Sequence, residues 1–268
     1  MVWARATTHG ALRASVRDVA DMSVLVTGGG SGIGAATATR FASLGAKVTI
    51  SGRRADKVAS VVGSIGANCR GVVGDVTVAA DRKAMIDAAV EFGGGLDVLV
   101  NNAGNMVRAS VAEWDEDALL SVFNSNVVAG MMLVQAGLPH LVARRGCVVF
   151  VSSVYTTRAF PGAAPYAVTK GAIETLTAVL ATELGPQGVR VSCVRPGAVF
   201  TEINQRAGLW DDGAALARLE AMAAAHALGR IGTTDEIAEA IEFVSRAEWV
   251  TGDVLSVDGG LGLGHTHT

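Results

Sequence analysis

"SVLVTGGGSGIGAATATRFASLGAKVTIS", Ser23 to Ser51, is the stretch that decides the fold. The short apolar run VLVT (24–27) leads directly into TGGGSGIG (Thr27–Gly34). A helix-like pattern follows and stops at Gly45, a C-cap residue, before the β-branched run KVTIS (47–51). Strand, glycine turn, helix and strand in that order form one nucleotide-binding half of a doubly wound sheet. Gly28 permits a tight turn, Gly32 lets backbone approach a pyrophosphate, and Gly34 lets helix and strand pack closely. The helix N-terminus adds free N–H groups and a positive dipole end for phosphates.

Working outward, GVV (71–73), LDVLVN (96–101), CVVFVS (147–152), VRVSCV (189–194) and VLSVD (254–258) read as further strands. Several are apolar at consecutive positions, as expected when both faces of a parallel sheet are covered. Helical patterns separate them. The stretch 115–146 is long enough for two helices or for one kinked near Pro139. The expected fold is a single-domain α/β Rossmann-type doubly wound fold, with about seven parallel strands and helices on both faces. The domain is expected over 21–268, after a frayed extension at 1–20, with no linker or internal repeat.

Composition narrows the function. Of 268 residues half are apolar, and the formal net charge is −3 with both signs interspersed, which leaves no electrostatic footprint for nucleic acid. No uninterrupted apolar run reaches the ~18 residues of a membrane span. Cys69, Cys147 and Cys193 make no CxxC pair, which fits a reducing, cytoplasmic setting and no metal site.

SSVYTTRAFPGAAPYAVTK (Ser152–Lys170) carries the chemistry. Ser153 falls just past the carboxyl end of a strand, the edge where open α/β sheets bind ligands. Tyr166 and Lys170 lie at i and i+4 of a helix that starts near Pro165, so they share a face. A phenol with an ordinary pKa of about 10 needs a nearby cation to act as a base, and Lys170 is one turn away. Ser153 can polarise a carbonyl oxygen. The five histidines show no hydrolase pattern.

Together TGGGSGIG, GDV (74–76), NNAG (101–104), Asn126, Ser153 with Tyr166 and Lys170, and RPG (195–197) resemble the classical short-chain dehydrogenases/reductases, over roughly residues 20–262. The resemblance implies Tyr166 as acid/base, Lys170 as its partner, Ser153 as the substrate-orienting donor and Asn126 in a proton relay. Ala129 stands where a glycine or serine is common. It extends the cofactor-binding set to Gly28, Ser31, Gly32, Ile33, Gly34, Asp75, Val76, Asn102, Ala103 and Gly104, with Tyr166 and Lys170. After strand six it adds Pro196, Gly197, Val199 and Thr201. Asn101 is expected to bond backbone across strands.

Where NAD-preferring folds place an acid, this chain has SGRR (51–54), so Gly52 is followed by Arg53 and Arg54. Arg53 is expected on the 2′-phosphate of NADP, with NAD the alternative, and Arg54 as a solvated surface charge. The resemblance implies a lid near 200–228, including Leu209, Trp210, Leu216, Leu219 and Met222, while Tyr155, two beyond Ser153, is expected from its position as a pocket wall. It also implies a homotetramer or homodimer paired through helices of the 115–144 segment, where Met131, Met132 and Leu133 are apolar. The expected activity interconverts a small-molecule ketone and secondary alcohol with NADP. The alternatives are a 3-oxoacyl carrier-protein reductase, an NAD-dependent alcohol dehydrogenase, or a non-catalytic dinucleotide-binding regulator.

Overall fold

The computed structural model describes residues 17–203, Gly213, Ala217 and 220–264. Seven strands form one sheet: β1 (Ser23–Thr27), β2 (Lys47–Gly52), β3 (Cys69–Val73), β4 (Val98–Asn101), β5 (Cys147–Val151), β6 (Arg190–Pro196) and β7 (Val254–Val257). Their order is β3-β2-β1-β4-β5-β6-β7, and every pairing is parallel. The chain therefore winds outward through β2 and β3, then crosses to the far side of β1. Above that reversal, between the carboxyl ends of β1 and β4, lies the crevice where such sheets take ligands.

Alternate strand residues feed two cores. Val24, Val26, Ile50, Val100 and Val149 meet α1 (Gly32–Ser43) and α7 (Thr234–Arg246), through Phe41, Ile237 and Ile241. Leu25, Leu99, Val148 and Phe150 meet α3 (Ala79–Gly93), α5 (Ala129–Arg144) and α6 (Ala164–Leu184), through Met85, Leu133, Leu141 and Ile173. Phe41 is fully buried, so its truncation to alanine would cost about 3–5 kcal/mol.

The long stretch forms two helices joined without a break, and Pro139 sits inside the second, α5, without ending it. Helix α4 (Glu116–Phe123) passes into α5 through a π turn at Asn124–Val128, closed by Ala129 N–H donating to the Asn124 carbonyl. Such turns mark functional positions, and Asn126 is at its centre. The folded body also starts before residue 21: Arg17 pairs with buried Asp97, and Val19 is buried. By length and a mean hydropathy of 1.4, the continuous run Glu116–Arg144 would also suit a membrane span. In this fold Val122 is buried and Leu133, Val134 and Leu141 join the second core.

Candidate active site

The glycine loop is shaped by contacts that exclude side chains. Gly28 has φ +67° and Gly32 φ +55°, left-handed conformations that favour glycine. A Cβ on Gly34 would lie 2.4 Å from the Gly28 carbonyl oxygen and 2.5 Å from Asn102 Nδ2. Gly29 N–H donates to Ser51 at 2.9 Å, tying the loop to the end of β2. Ser31 is the N-cap of α1 but makes no side-chain cap. The first N–H groups of α1 thus remain available at the crevice.

Asn102, rather than Asn101, ties the strands together. Its Nδ2 donates to the carbonyls of Thr27 at 2.8 Å and Gly28 at 3.3 Å. The Thr27 hydroxyl accepts from the N–H groups of Asn102 and Ala103 at 3.1 and 3.0 Å. Among the described residues, the buried Asn101 amide has no hydrogen-bond partner. It sits at the end of β4.

Ser153 follows β5 and caps a one-turn 3-10 helix at Val154–Thr156. Helix α6 opens with Pro165 in its first turn and brings Tyr166 and Lys170 to the same place. All three side chains are buried, and the Ser153 and Tyr166 side chains hydrogen-bond. Burial raises the Tyr166 phenol above its ordinary value, and the Ser153 bond only partly opposes this. Burial pushes Lys170 down to about 8. Its Nζ donates to the Val151 carbonyl at 2.8 Å and stands 5.5 Å from the centre of the Tyr166 ring.

Asn126 is buried with its amide fully engaged. Nδ2 donates to Asn105 O at 2.9 Å and Thr169 Oγ1 at 3.0 Å. Oδ1 accepts from Asn105 N–H at 2.8 Å and Ser125 Oγ at 3.1 Å. The π turn thus pins the loop after NNAG. Asn126 and Lys170 also line a small pocket together.

Most of the expected residues meet in one cleft. Gly28, Ser31, Gly32, Ile33, Asn102, Ala103 and Gly104 line it. So do Ser153, Tyr166, Lys170, Pro196, Gly197, Val199 and Thr201. Gly34 is buried beneath this surface rather than on it. An adjoining pocket at the end of β2 holds Arg53, Arg54, Asp75 and Val76. There Arg54 is no free surface charge: it donates to Ser31 Oγ at 3.2 Å and to Glu202 at 2.5 Å. Arg53 is the more exposed of the two and lies 3.6 Å from Asp75.

Tyr155 is a wall of the main cleft, edge-on to Tyr166 at 5.5 Å between ring centres. Met106, Val154, Met222 and Leu261 complete an apolar side. The other lid residues expected there, Leu209, Trp210, Leu216 and Leu219, lie outside the described residues. Sequence reasoning missed Met106, Leu261, Lys57 and Glu174. Lys57, one turn after Arg54, and Glu174, one turn after Lys170, were within reach of helical spacing. The Glu174 carboxylate accepts from Ser152 at 2.6 Å, Thr156 at 2.8 Å and Arg195 at 2.8 and 2.7 Å.

A glycine-lined crevice over a parallel sheet, ending at a buried serine, tyrosine and lysine, defines a dinucleotide-dependent oxidoreductase. The sequence model of the family described as Enoyl-(Acyl carrier protein) reductase matches residues 28–262. An uncharacterized oxidoreductase of Methylorubrum extorquens is 38% identical, over 88% of this chain and 96% of its own length. Dehydrogenase/reductase SDR family member 4 of Sus scrofa is 36% identical, over 88% and 85%. The crystal structure of 3-ketoacyl-(acyl-carrier-protein) reductase from Brucella melitensis, complexed with NADH, superposes with a TM-score of 0.82 at 30% identity, covering 90% of this chain and 98% of that one. The chain belongs to the short-chain dehydrogenase/reductase family and is an oxidoreductase acting on CH–OH donors with NAD(P).

Proposed function

We propose that this enzyme uses NADP to interconvert a ketone and a secondary alcohol, with Tyr166 passing the proton to or from the oxygen. The observation that carries this is the convergence of Ser153, Tyr166 and Lys170 in the same cleft as the glycine loop. The nucleotide, when bound, supplies or accepts the hydride. The free N–H groups of α1 would hold its pyrophosphate, and Val199 and Thr201, after the Pro196–Gly197 turn, would contact its carboxamide and pyrophosphate. Ser153 donates to the carbonyl oxygen. Tyr166, kept protonated by burial, gives up its proton as charge develops there. Lys170 remains charged below about pH 8 and can hold ribose hydroxyls.

The NADP preference rests on Arg53, Arg54 and Lys57 around the pocket at the end of β2, with Gly52 in place of an acid. The apolar wall of Met106, Tyr155, Met222 and Leu261 suits a largely apolar carbonyl compound. A 3-oxoacyl carrier-protein substrate is the second reading, favoured by the likeness to the Brucella reductase. Buried, unpaired Cys69, Cys147 and Cys193 support a reducing, cytoplasmic setting. Consumption of NADPH with a panel of ketones, 3-oxoacyl thioesters included, tests the activity. Tight NADPH binding with no turnover on any of them would instead favour a non-catalytic regulator.

A further inference from the structure

Three cations, Arg53, Arg54 and Lys57, line the pocket at the end of β2 beside Ser31. Two carboxylates already hold them. Asp75 lies 3.6 Å from Arg53. Glu202 takes the other two: its Oε2 is 2.5 Å from Arg54 Nη2, and its Oε1 is 3.4 Å from Lys57 Nζ. The same Arg54 nitrogen donates to Ser31 Oγ at 3.2 Å, within the glycine loop. Glu202 comes from the segment that follows β6. It follows Thr201, whose Cβ lies 3.3 Å from the place a Cβ on Gly32 would take. Burial works against ionisation of Glu202, but Arg54 and Lys57 outweigh it and hold the carboxyl below its ordinary range. At neutral pH the group is therefore an anion seated on two of the pocket's cations.

A phosphate on the ribose 2′ position carries up to two negative charges and needs the same donors. An unphosphorylated ribose makes no such demand. We infer that Glu202 is a specificity-determining residue, an internal anion that competes with the cofactor's 2′-phosphate for Arg54 and Lys57. This rests on the NADP reading above. Glu202 weakens NADPH selectively, so the native discrimination between the two nucleotides is smaller than three cations would give. One competing charge in a half-exposed site is worth about tenfold in affinity.

Calorimetric titration of NADPH and NADH into the wild type, Glu202→Gln, Glu202→Asp, Arg54→Ala and the Arg54→Ala/Glu202→Gln double variant tests this. The quantity compared is Kd(NADH)/Kd(NADPH). Glu202→Gln should raise it about tenfold, with NADH binding unchanged. Glu202→Asp, which keeps the charge, should raise it less, and the gain should shrink when Arg54 is absent. A ratio that stays the same or falls in Glu202→Gln overturns the inference, as does equal tightening of both nucleotides. The wild-type ratio separately judges the NADP reading. A value below one would end that reading, while the change on Glu202→Gln would still decide the role of Glu202.

Discussion

Replacing Glu174 by alanine tests how the serine is held. Glu174 lies one helical turn beyond Lys170, and its carboxylate accepts from Arg195 through Nε at 2.8 Å and Nη2 at 2.7 Å. It also accepts from the hydroxyls of Ser152 at 2.6 Å and Thr156 at 2.8 Å, the residues that bracket the turn opened by Ser153. A single hydrogen bond to a charged group contributes about 1.5–3 kcal/mol, and breaking a fully buried pair costs about 3–5 kcal/mol. Both side chains keep 16% exposure, so the lower end applies, and Glu174→Ala should destabilise by about 3 kcal/mol in urea unfolding. Freed hydroxyls let Ser153 drift, and a misplacement well under 1 Å should lower kcat about tenfold. The acid limb gives a second check. Burial opposes ionisation of Glu174, but its donors outweigh this and hold its carboxyl below the ordinary range. The stability it adds is present above the unfolded pKa of about 4.3 and is lost as pH falls through the folded value. The gap between variant and wild type should narrow there. A loss under about 0.5 kcal/mol at pH 7 with unchanged kcat would refute the reasoning.

Arg53→Ala should weaken NADPH about tenfold and leave NADH nearly unchanged, since it removes one charged donor and leaves Asp75 without its cation. Equal loss for both nucleotides would move Arg53 away from the phosphate. Lys170, lowered to about 8 by burial, keeps its charge below that value and loses it above. The profile of kcat/KM for NADPH should therefore fall with a one-proton midpoint near pH 8; a flat profile to pH 10 would contradict it. Leu120, Val128 and Met131 around α4–α5 and Val168 and Val179 on α6 are exposed, and sedimentation at micromolar concentration should give a dimer or tetramer. A monomer would show that these faces have no partner copy.

The strands and the glycine loop were legible because parallel strands covered on both faces read as apolar runs, and TGGGSGIG sits between a strand and a helix. All seven strands fall within a few residues of their expected places. Ser153, Tyr166 and Lys170 were legible through their spacing. The π turn was not: one extra residue per turn leaves no periodic mark over five residues. Partnerships between distant segments were hidden as well. Glu202 meets Arg54 across 148 residues of chain, and Glu174 meets Arg195 only because β6 runs past α6. The choice of Asn102 over Asn101 as the strand tie depended on which amide faced the Thr27 carbonyl, a fact of register and not of composition. The state of Tyr166 turned on burial, which the i, i+4 spacing does not report.

The central claim is that Tyr166 transfers the proton that accompanies hydride transfer. Tyr166→Phe keeps the buried ring and removes only the hydroxyl bonded to Ser153. With the best ketone from the panel, single-turnover reduction by NADPH should slow by at least ~100-fold, while the Kd for NADPH stays within about twofold of wild type. A variant that reduces the ketone at near wild-type rate would contradict the account.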